Sequence, residues 1–460
     1  MLNVSEVVIC GAGIAGISTA YYLATRYGIT DVLIVDPHPP LSQTTSKSGE
    51  NYRNWWPNNS MADFANRSIH LMEEIANQTE NIIHMNRRGY LYVSTKPSKE
   101  HLLTIKQHAQ AACKSWPLRW YPDRNRSVDR LYDPVPEDNY ADQPLGVDIL
   151  RGKDLIQEWY PHLDESIKTA IHVRSAGTIS VHNLGNHMLQ EAKSSGVNTL
   201  DGKVVDIKCT GQKAIHVFVE VMGKIHRVHC RSFVNAAGPF AGTVAKMLNI
   251  QLPIFSVFQQ KVALQDFQRI IPRNSPFTIF MDHQHIPWPP QDQVLLANEP
   301  DYVWMLERLP GGIHIRPEGS GDSTWIKLGW AINRTVSSPE WMPKCTSGFP
   351  EVMLRGASRF VPELAAYADD LPQPVIQYGG YYTKTDDNLP LIGPMGIPGC
   401  YIVGALSGYG TMTACAAGEL CASWVSESFL PNYAECFSPD RYNNALSRKT
   451  NPKGASSGEL

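Results

Sequence analysis

A short apolar run at Val7 to Ile9 opens into three glycines, Gly11, Gly13 and Gly16. An apolar helical stretch follows, and a second apolar run, Val32 to Val35, ends in Asp36. The pattern predicts strand, glycine-rich turn, helix and strand within one unit. A polar loop then runs from 37 to 59, and Ser60 reads as the N-cap of a helix with Phe64, Ile69, Met72 and Ile75 on one side. Residues 89–94 read as a strand, and 184–195 as a helix ending near Gly196. A strand meander is expected from about 202 to 235, stopping at Ala236-Ala237-Gly238-Pro239. Further strands are expected at 254–264, 301–307, 312–316 and 325–331, whereas 283–300, with four prolines, reads as a long loop or lid. Residues 115–148 carry little periodicity. Near the C-terminus, a buried-type strand at 401–404 enters Ser407-Gly408-Tyr409-Gly410, followed by an apolar helix from about 411 to 423.

The spacing of the first unit has a chemical meaning. Gly11 permits the tight turn, Gly13 lets a pyrophosphate approach the backbone, and Gly16 lets the helix pack closely on the strand. The helix N-terminus adds N–H groups and a positive dipole end for phosphates. Asp36 is placed to accept hydrogen bonds from ribose hydroxyls. The second glycine-rich turn gives another helix N-terminus. Two such ends suit a long cofactor, one holding the pyrophosphate and the other stabilising negative charge on a ring system during reduction.

Bulk properties narrow the class. A chain of 460 residues, 43% hydrophobic and 18% charged, is that of an ordinary soluble protein of two or three domains. The net charge of −3 gives no reason to expect nucleic acid or an anionic membrane as partner. The nine cysteines form no CxxC pair, which argues against a disulfide framework and a zinc site. His283 and His285 have metal-like spacing without a third ligand and read as surface loop. There is no secretory pattern and no apolar run of about 18 residues, so a cytoplasmic protein is expected. The sequence carries no signal for an oligomeric state.

Taken in order, these motifs resemble the D-amino-acid-oxidase superfamily of FAD-dependent oxidoreductases, in the branch of monomeric sarcosine oxidase. The N-terminal match runs through Gly11, Gly13, Ile14, Ala15 and Gly16 to Asp36 and Pro37. Ser46, Lys47 and Ser48 fall where the family wraps FAD phosphates and positions the flavin. Val204 resembles the strand that touches adenine, and Ala237-Gly238 the strand end beside the ribityl chain. Gly408-Tyr409-Gly410, with Thr411 and Met412, match the turn at the pyrimidine end of the flavin. Trp325-Ile326-Lys327-Leu328-Gly329 looks like the strand bearing the family's flavin-facing lysine.

The resemblance implies an α/β fold: a Rossmann-like FAD-binding domain beside an antiparallel-sheet (α+β) substrate domain. The expected FAD-binding domain is discontinuous over 1–60, 150–240 and 372–435. The substrate domain would take 61–149 and 241–371, and 436–460 would form a tail. The implied reaction is oxidation of the C–N bond of a secondary amine or amino acid by hydride transfer to flavin N5, with oxygen as acceptor. Lys327 would promote electron transfer to oxygen, Arg53 would bind a substrate anion or stack near the flavin, and Tyr382 would orient the amine. Arg316 is a second candidate partner for a carboxylate, unless it pairs with Glu318.

Departures from the family's pattern carry information. The cysteine that holds the flavin covalently in sarcosine oxidases falls on Gly380, and the 41–60 loop has no histidine, so FAD is expected to be non-covalent. The lysine that pairs with the substrate carboxylate falls on Met412. With Trp55 and Trp56 beside Arg53, this suggests a bulkier, more apolar amine than sarcosine. Adjacent residues point apart, so at most one tryptophan should reach the substrate. The rival readings are a dehydrogenase that passes electrons to a carrier and, more remotely, a catalytically silent flavoprotein subunit.

Overall fold

The computed structural model describes residues 4–112, 117–121, 132–134, 140–141, 143–210, 214–319 and 321–442. The first strand, Val7–Cys10, lies in the middle of a six-stranded sheet. It pairs in parallel with Val32–Asp36 on one side and Ser232–Asn235 on the other. Asn198–Asp201 and Cys400–Gly404 extend the parallel pairing outward, and Leu391–Pro394 closes one edge antiparallel.

Strand alternation sorts the two faces. Val7, Ile9, Val32 and Ile34 pack into one core with the helices Ile14–Tyr27, Asn59–Gln78, Val181–Ser194 and Gly410–Val425. Val8, Cys10, Leu33 and Val35 face the opposite way, onto a three-stranded antiparallel meander of Lys203–Thr210, Ala214–Val221 and Lys224–Cys230. Burial on both faces is why these strands read as continuous apolar runs rather than as alternating ones.

A second, nine-stranded sheet begins at Ile376–Lys384, continues through Phe255–Gln265, Trp325–Gly329, Ile313–Pro317, Phe277–Phe280 and Tyr90–Ser94, and ends beyond Thr169–Val173 at Val147–Arg151 and Leu118–Tyr121. Most neighbours are antiparallel, with two parallel pairs, Phe277–Phe280 with Tyr90–Ser94 and Leu118–Tyr121 with Val147–Arg151. One face buries Val262, Leu264, Ile313, Ile315, Ile326 and Leu328 against the helix Phe349–Ala357. The register places Lys261, His314, Arg316 and Lys327 on the other face, which is polar and aromatic.

Several local expectations are corrected. Residues 301–307 hold a 3-10 turn, Val303–Leu306, instead of a strand. The helix expected from Ser60 is capped by Asn58, whose side chain accepts from the Met61 amide at 2.8 Å. The proline-rich 283–300 segment contains a helix, Pro290–Ala297, with no buried residue. The last strand of the expected meander, Ser232–Asn235, leaves it and joins the parallel sheet. Among the described residues no helix is long and apolar enough to cross a membrane, and no cluster of three His, Cys, Asp or Glu could hold a metal ion.

Candidate functional site

The C-terminal ends of the parallel strands and the adjoining turns line two cavities of about 460 and 130 Å³. Gly13, Thr44, Thr45, Ala236, Gly238 and Pro239 line both, so the two form one groove. It runs from the end of Val32–Asp36 past the first helix N-terminus to the turn before Gly410–Val425.

The glycines divide the work as their spacing demands. A Cβ on Gly11 would lie 2.4 Å from the Ala236 carbonyl oxygen, and one on Gly16 would lie 2.0 Å from the Gly11 carbonyl oxygen. These two positions are closed by backbone, so only glycine fits. Gly11 also has a φ of 117°, a conformation L side chains avoid. Gly13 differs, because a Cβ there would meet only Thr45 Oγ1, at 3.5 Å. Its open side faces the groove, as a cradle for a phosphate requires. No side chain caps this helix at Gly13, and the Ile14 amide donates to Thr45 Oγ1 at 3.2 Å. Asp36 is fixed by the Ala12 amide at 2.8 Å and the His38 amide at 2.9 Å. Burial nevertheless raises its pKa. The residues present fit a dinucleotide: Gly13 leaves the backbone open as phosphates would need, and Asp36 presents a carboxylate that could accept from ribose hydroxyls.

At the far end, Ala405 and Ser407 both take positive φ, each 49°, in a strand-to-helix turn without glycine at those positions. Such strain persists only where surrounding bonds fix it. Ser407 donates from its amide to Thr383 at 2.9 Å and from its hydroxyl to Asn388 Oδ1 at 2.7 Å. Gly408 leaves room for the Tyr382 ring, 2.6 Å from where its Cβ would sit. The Ser48 and Thr411 hydroxyls meet at 2.5 Å and tie the 41–60 loop to the second helix.

Of the residues expected from sequence, Gly11, Gly13, Asp36, Pro37, Val204, Ala237 and Gly238 line the larger cavity. Ile14, Ala15, Lys47, Ser48, Tyr382, Gly408, Gly410 and Thr411 line the smaller one. Gly16, Ser46, Arg53, Lys327, Tyr409 and Met412 line neither. Ser46 spends its hydroxyl on the Ser42 and Gln43 carbonyls. Met412 is packed into the helical core, and Tyr409 abuts Trp56 edge-on at 4.8 Å. Trp55 belongs to a different core, 5.1 Å from His108, so the two tryptophans do point apart, and neither lines the groove. Arg53 is buried, donates to the Tyr92 hydroxyl at 2.8 Å, and lies over the rings of Trp56 and Tyr90. His283 and His285 are exposed, as their loop position suggests.

Lys327 is half-buried between two carboxylates, Glu318 at 3.0 Å and Glu50 at 3.3 Å. Arg316 shares Glu318 at 2.7 Å, the pairing foreseen as its alternative to substrate binding. Burial would raise the Glu318 carboxyl, but Arg316 and Lys327 hold it below its ordinary value. The residue missed by sequence reasoning is Lys261. It is 6% exposed on Phe255–Gln265, lines the smaller cavity, and donates to the Lys47 carbonyl at 3.1 Å. Its ammonium lies 5.7 Å from the Tyr382 ring centre. Burial, reinforced by Lys327, lowers its pKa to about 8. The available signal was a lysine inside an otherwise uncharged strand, FSVFQQKVALQ. Thr44, Thr45, His38 and Trp341 were missed as lining residues as well, since nothing in their spacing marks them.

The fold is similar to that of several solved structures. The chain resembles the crystal structure of L-proline dehydrogenase from P. horikoshii, at 19% identity and a TM-score of 0.69, covering 96% of this chain and 99% of that one. Glycine oxidase from Geobacillus kaustophilus is similar at 16% identity and a TM-score of 0.69, covering 95% and 99%. The FAD-bound, dithionite-reduced L-alpha-glycerophosphate oxidase from Mycoplasma pneumoniae gives 15% identity and a TM-score of 0.65, covering 94% and 98%. At such identities the likeness is one of fold. No curated protein matches the chain. The model of the FAD-dependent oxidoreductase family (DAO), however, matches residues 6–424, and the chain belongs to that family.

Proposed function

We propose that this flavoenzyme oxidises the C–N bond of a secondary amine or amino acid, with molecular oxygen as electron acceptor. FAD, when bound, would supply the redox chemistry of an oxidation in which the carbon beside a neutral amine loses a hydride and water hydrolyses the resulting imine. The protein supplies position and charge. Thr44, Thr45 and Gly13 would hold the phosphates, and Asp36 would hold the ribose. Tyr382 walls the flavin end of the groove beside Lys261. Arg316 is committed to Glu318, and Arg53 is held by Tyr92 outside both cavities, so neither lies in the groove to meet a substrate carboxylate. The nine-stranded sheet forms the substrate side, and its strands Thr169–Val173 and Ile376–Lys384 come from the 150–240 and 372–435 segments expected for the FAD-binding domain, so the sheet crosses those boundaries. Two of the structurally similar proteins, the proline dehydrogenase and the glycine oxidase, are named for amino acids and support an amine substrate.

The observation that carries the oxidase reading is Lys261. Glu50 and Glu318 are outnumbered by Arg316, Lys327 and Lys261, and the last of these cations faces the cavity at the flavin end. A fixed positive charge there favours electron transfer to oxygen by stabilising the negative charge that develops. A specific observation favours the dehydrogenase alternative: Lys327, which the resemblance assigns to oxygen, is neutralised by two carboxylates. We also propose that FAD is held without a covalent bond, since neither cysteine nor histidine lines the smaller cavity. Anaerobic flavin bleaching across N-methyl amino acids, cyclic imino acids and bulkier amines tests the substrate class. Readmitted air restores the yellow colour within seconds in an oxidase, whereas a flavin that stays bleached selects the dehydrogenase. A flavin that no amine bleaches refutes the proposal.

A further inference from the structure

The larger cavity ends in an aromatic arrangement that the phosphate and ribose contacts do not use. Phe240 closes the 3-10 turn Gly238–Phe240, immediately after the Ala236–Gly238 cradle. Trp341 comes from elsewhere, on the 331–348 connection between the nine-stranded sheet and the helix Phe349–Ala357. Both line the cavity beside Val204, His38 and Val244. Their ring centres are 6.4 Å apart and their planes are inclined by only 22°. That separation is close to two van der Waals layers of about 3.5 Å each. It falls short of them, so the two rings would have to part by about 0.6 Å or more to admit one flat ring between them.

Trp341 is held in place without being buried. Its ring is stacked on His38, with centres 3.4 Å apart, and its carbonyl accepts from Gln43 Nε2 at 3.2 Å. The neighbouring Glu340 amide donates to the Tyr381 hydroxyl at 3.0 Å. Yet Trp341 remains 36% exposed, so core packing does not account for a large ring at this rim. We propose that Phe240 and Trp341 grip the adenine of FAD between their faces, with Trp341 acting as a specificity residue contributed by the second sheet's connection. Through this contact the cofactor links the two sheets at its adenine end as well as at its flavin end. The proposal rests on FAD use, which family membership gives, and not on the choice of amine.

The test titrates apoprotein with FAD and with FMN, which lacks adenine, following flavin fluorescence. Stacking of one base on an aromatic side chain is worth roughly a 5- to 150-fold change in affinity. Trp341→Ala and Phe240→Ala are expected to weaken FAD binding by such a factor and to leave FMN binding within about twofold of wild type. Trp341→Phe keeps a stacking face and is expected to restore most of the FAD affinity. Unchanged FMN binding also reports that each variant is folded. FAD affinity that does not fall in the alanine variants, or FMN affinity that falls equally, overturns the clamp.

Discussion

Replacing Lys261 by methionine separates an electrostatic role from a structural one, because the two have opposite signs. The side chain is buried at the flavin end of the groove, and its pKa falls from the ordinary 10.5 to about 8 on folding. Protonation is therefore favoured more in the unfolded chain than in the folded one. Below pH 8 this costs the fold about 3 kcal/mol, fading as pH rises from 8 towards 10.5. The hydrogen bond to the Lys47 carbonyl offsets about 1 kcal/mol of it. Lys261→Met should accordingly leave the apoprotein as stable as wild type at pH 7, or more stable by about 1–2 kcal/mol. Catalysis should move the other way. At pH 7 roughly nine tenths of Lys261 is charged. Losing a preorganised charge where negative charge develops costs about 100- to 1,000-fold in rate. The assay is stopped-flow reoxidation of the reduced enzyme with oxygen from pH 6 to 10, beside anaerobic reduction by substrate. In wild type the reoxidation rate should be high below pH 8 and fall above it as the cation is lost. In the variant it should be low and flat, with reduction by substrate much less affected. Equal losses in both half-reactions, a surviving step near pH 8, or a destabilised apoprotein would refute the reasoning.

Further outcomes follow from neighbouring contacts. Lys327→Met removes the cation between Glu50 and Glu318, and with Arg316 still on both carboxylates the loss of these half-buried pairs should cost about 1–2 kcal/mol. A modest fall in the urea midpoint, with both half-reactions impaired alike, is expected; selective loss of reoxidation would instead return the oxygen role to Lys327. Gly13→Ala should fold normally but release FAD readily, since its Cβ meets only Thr45 in the protein, whereas Gly11→Ala should also lower apoprotein stability. Circular dichroism melts and FAD titration distinguish the two. Acid precipitation should leave yellow FAD in the supernatant, and flavin retained in the pellet would contradict a non-covalent site. Met412→Lys places a cation in the helical core, so it should destabilise the fold without improving turnover of sarcosine.

The sequence by itself determined the glycine-rich turn that lines one end of the groove. Gly11, Gly13, Gly16 and Asp36 act through backbone geometry within about thirty residues, and local spacing is enough to specify such a unit. The same holds for the helices Asn59–Gln78 and Val181–Ser194, whose apolar residues recur at helical intervals, though the cap of the first fell on Asn58 and not Ser60. The strand expected at 301–307 failed because a short apolar run has no period long enough to separate strand from turn. Only the tertiary structure decided the charge at the flavin end. Glu50 and Lys327 are 277 positions apart and become a pair only when the loop after the first unit meets the nine-stranded sheet. Of the two strand lysines, Lys261 consequently faces the groove, while Lys327 sits between carboxylates, a distinction set by which strand neighbours and which carboxylates surround each amine. Met412 illustrates the same limit: its place in the order of motifs pointed to the substrate, but the rotation of its helix turns it into the core. Spacing along a chain fixes what a backbone turn can hold. Which way a single side chain faces, and what charge it meets there, depends on elements brought together from distant parts of the sequence.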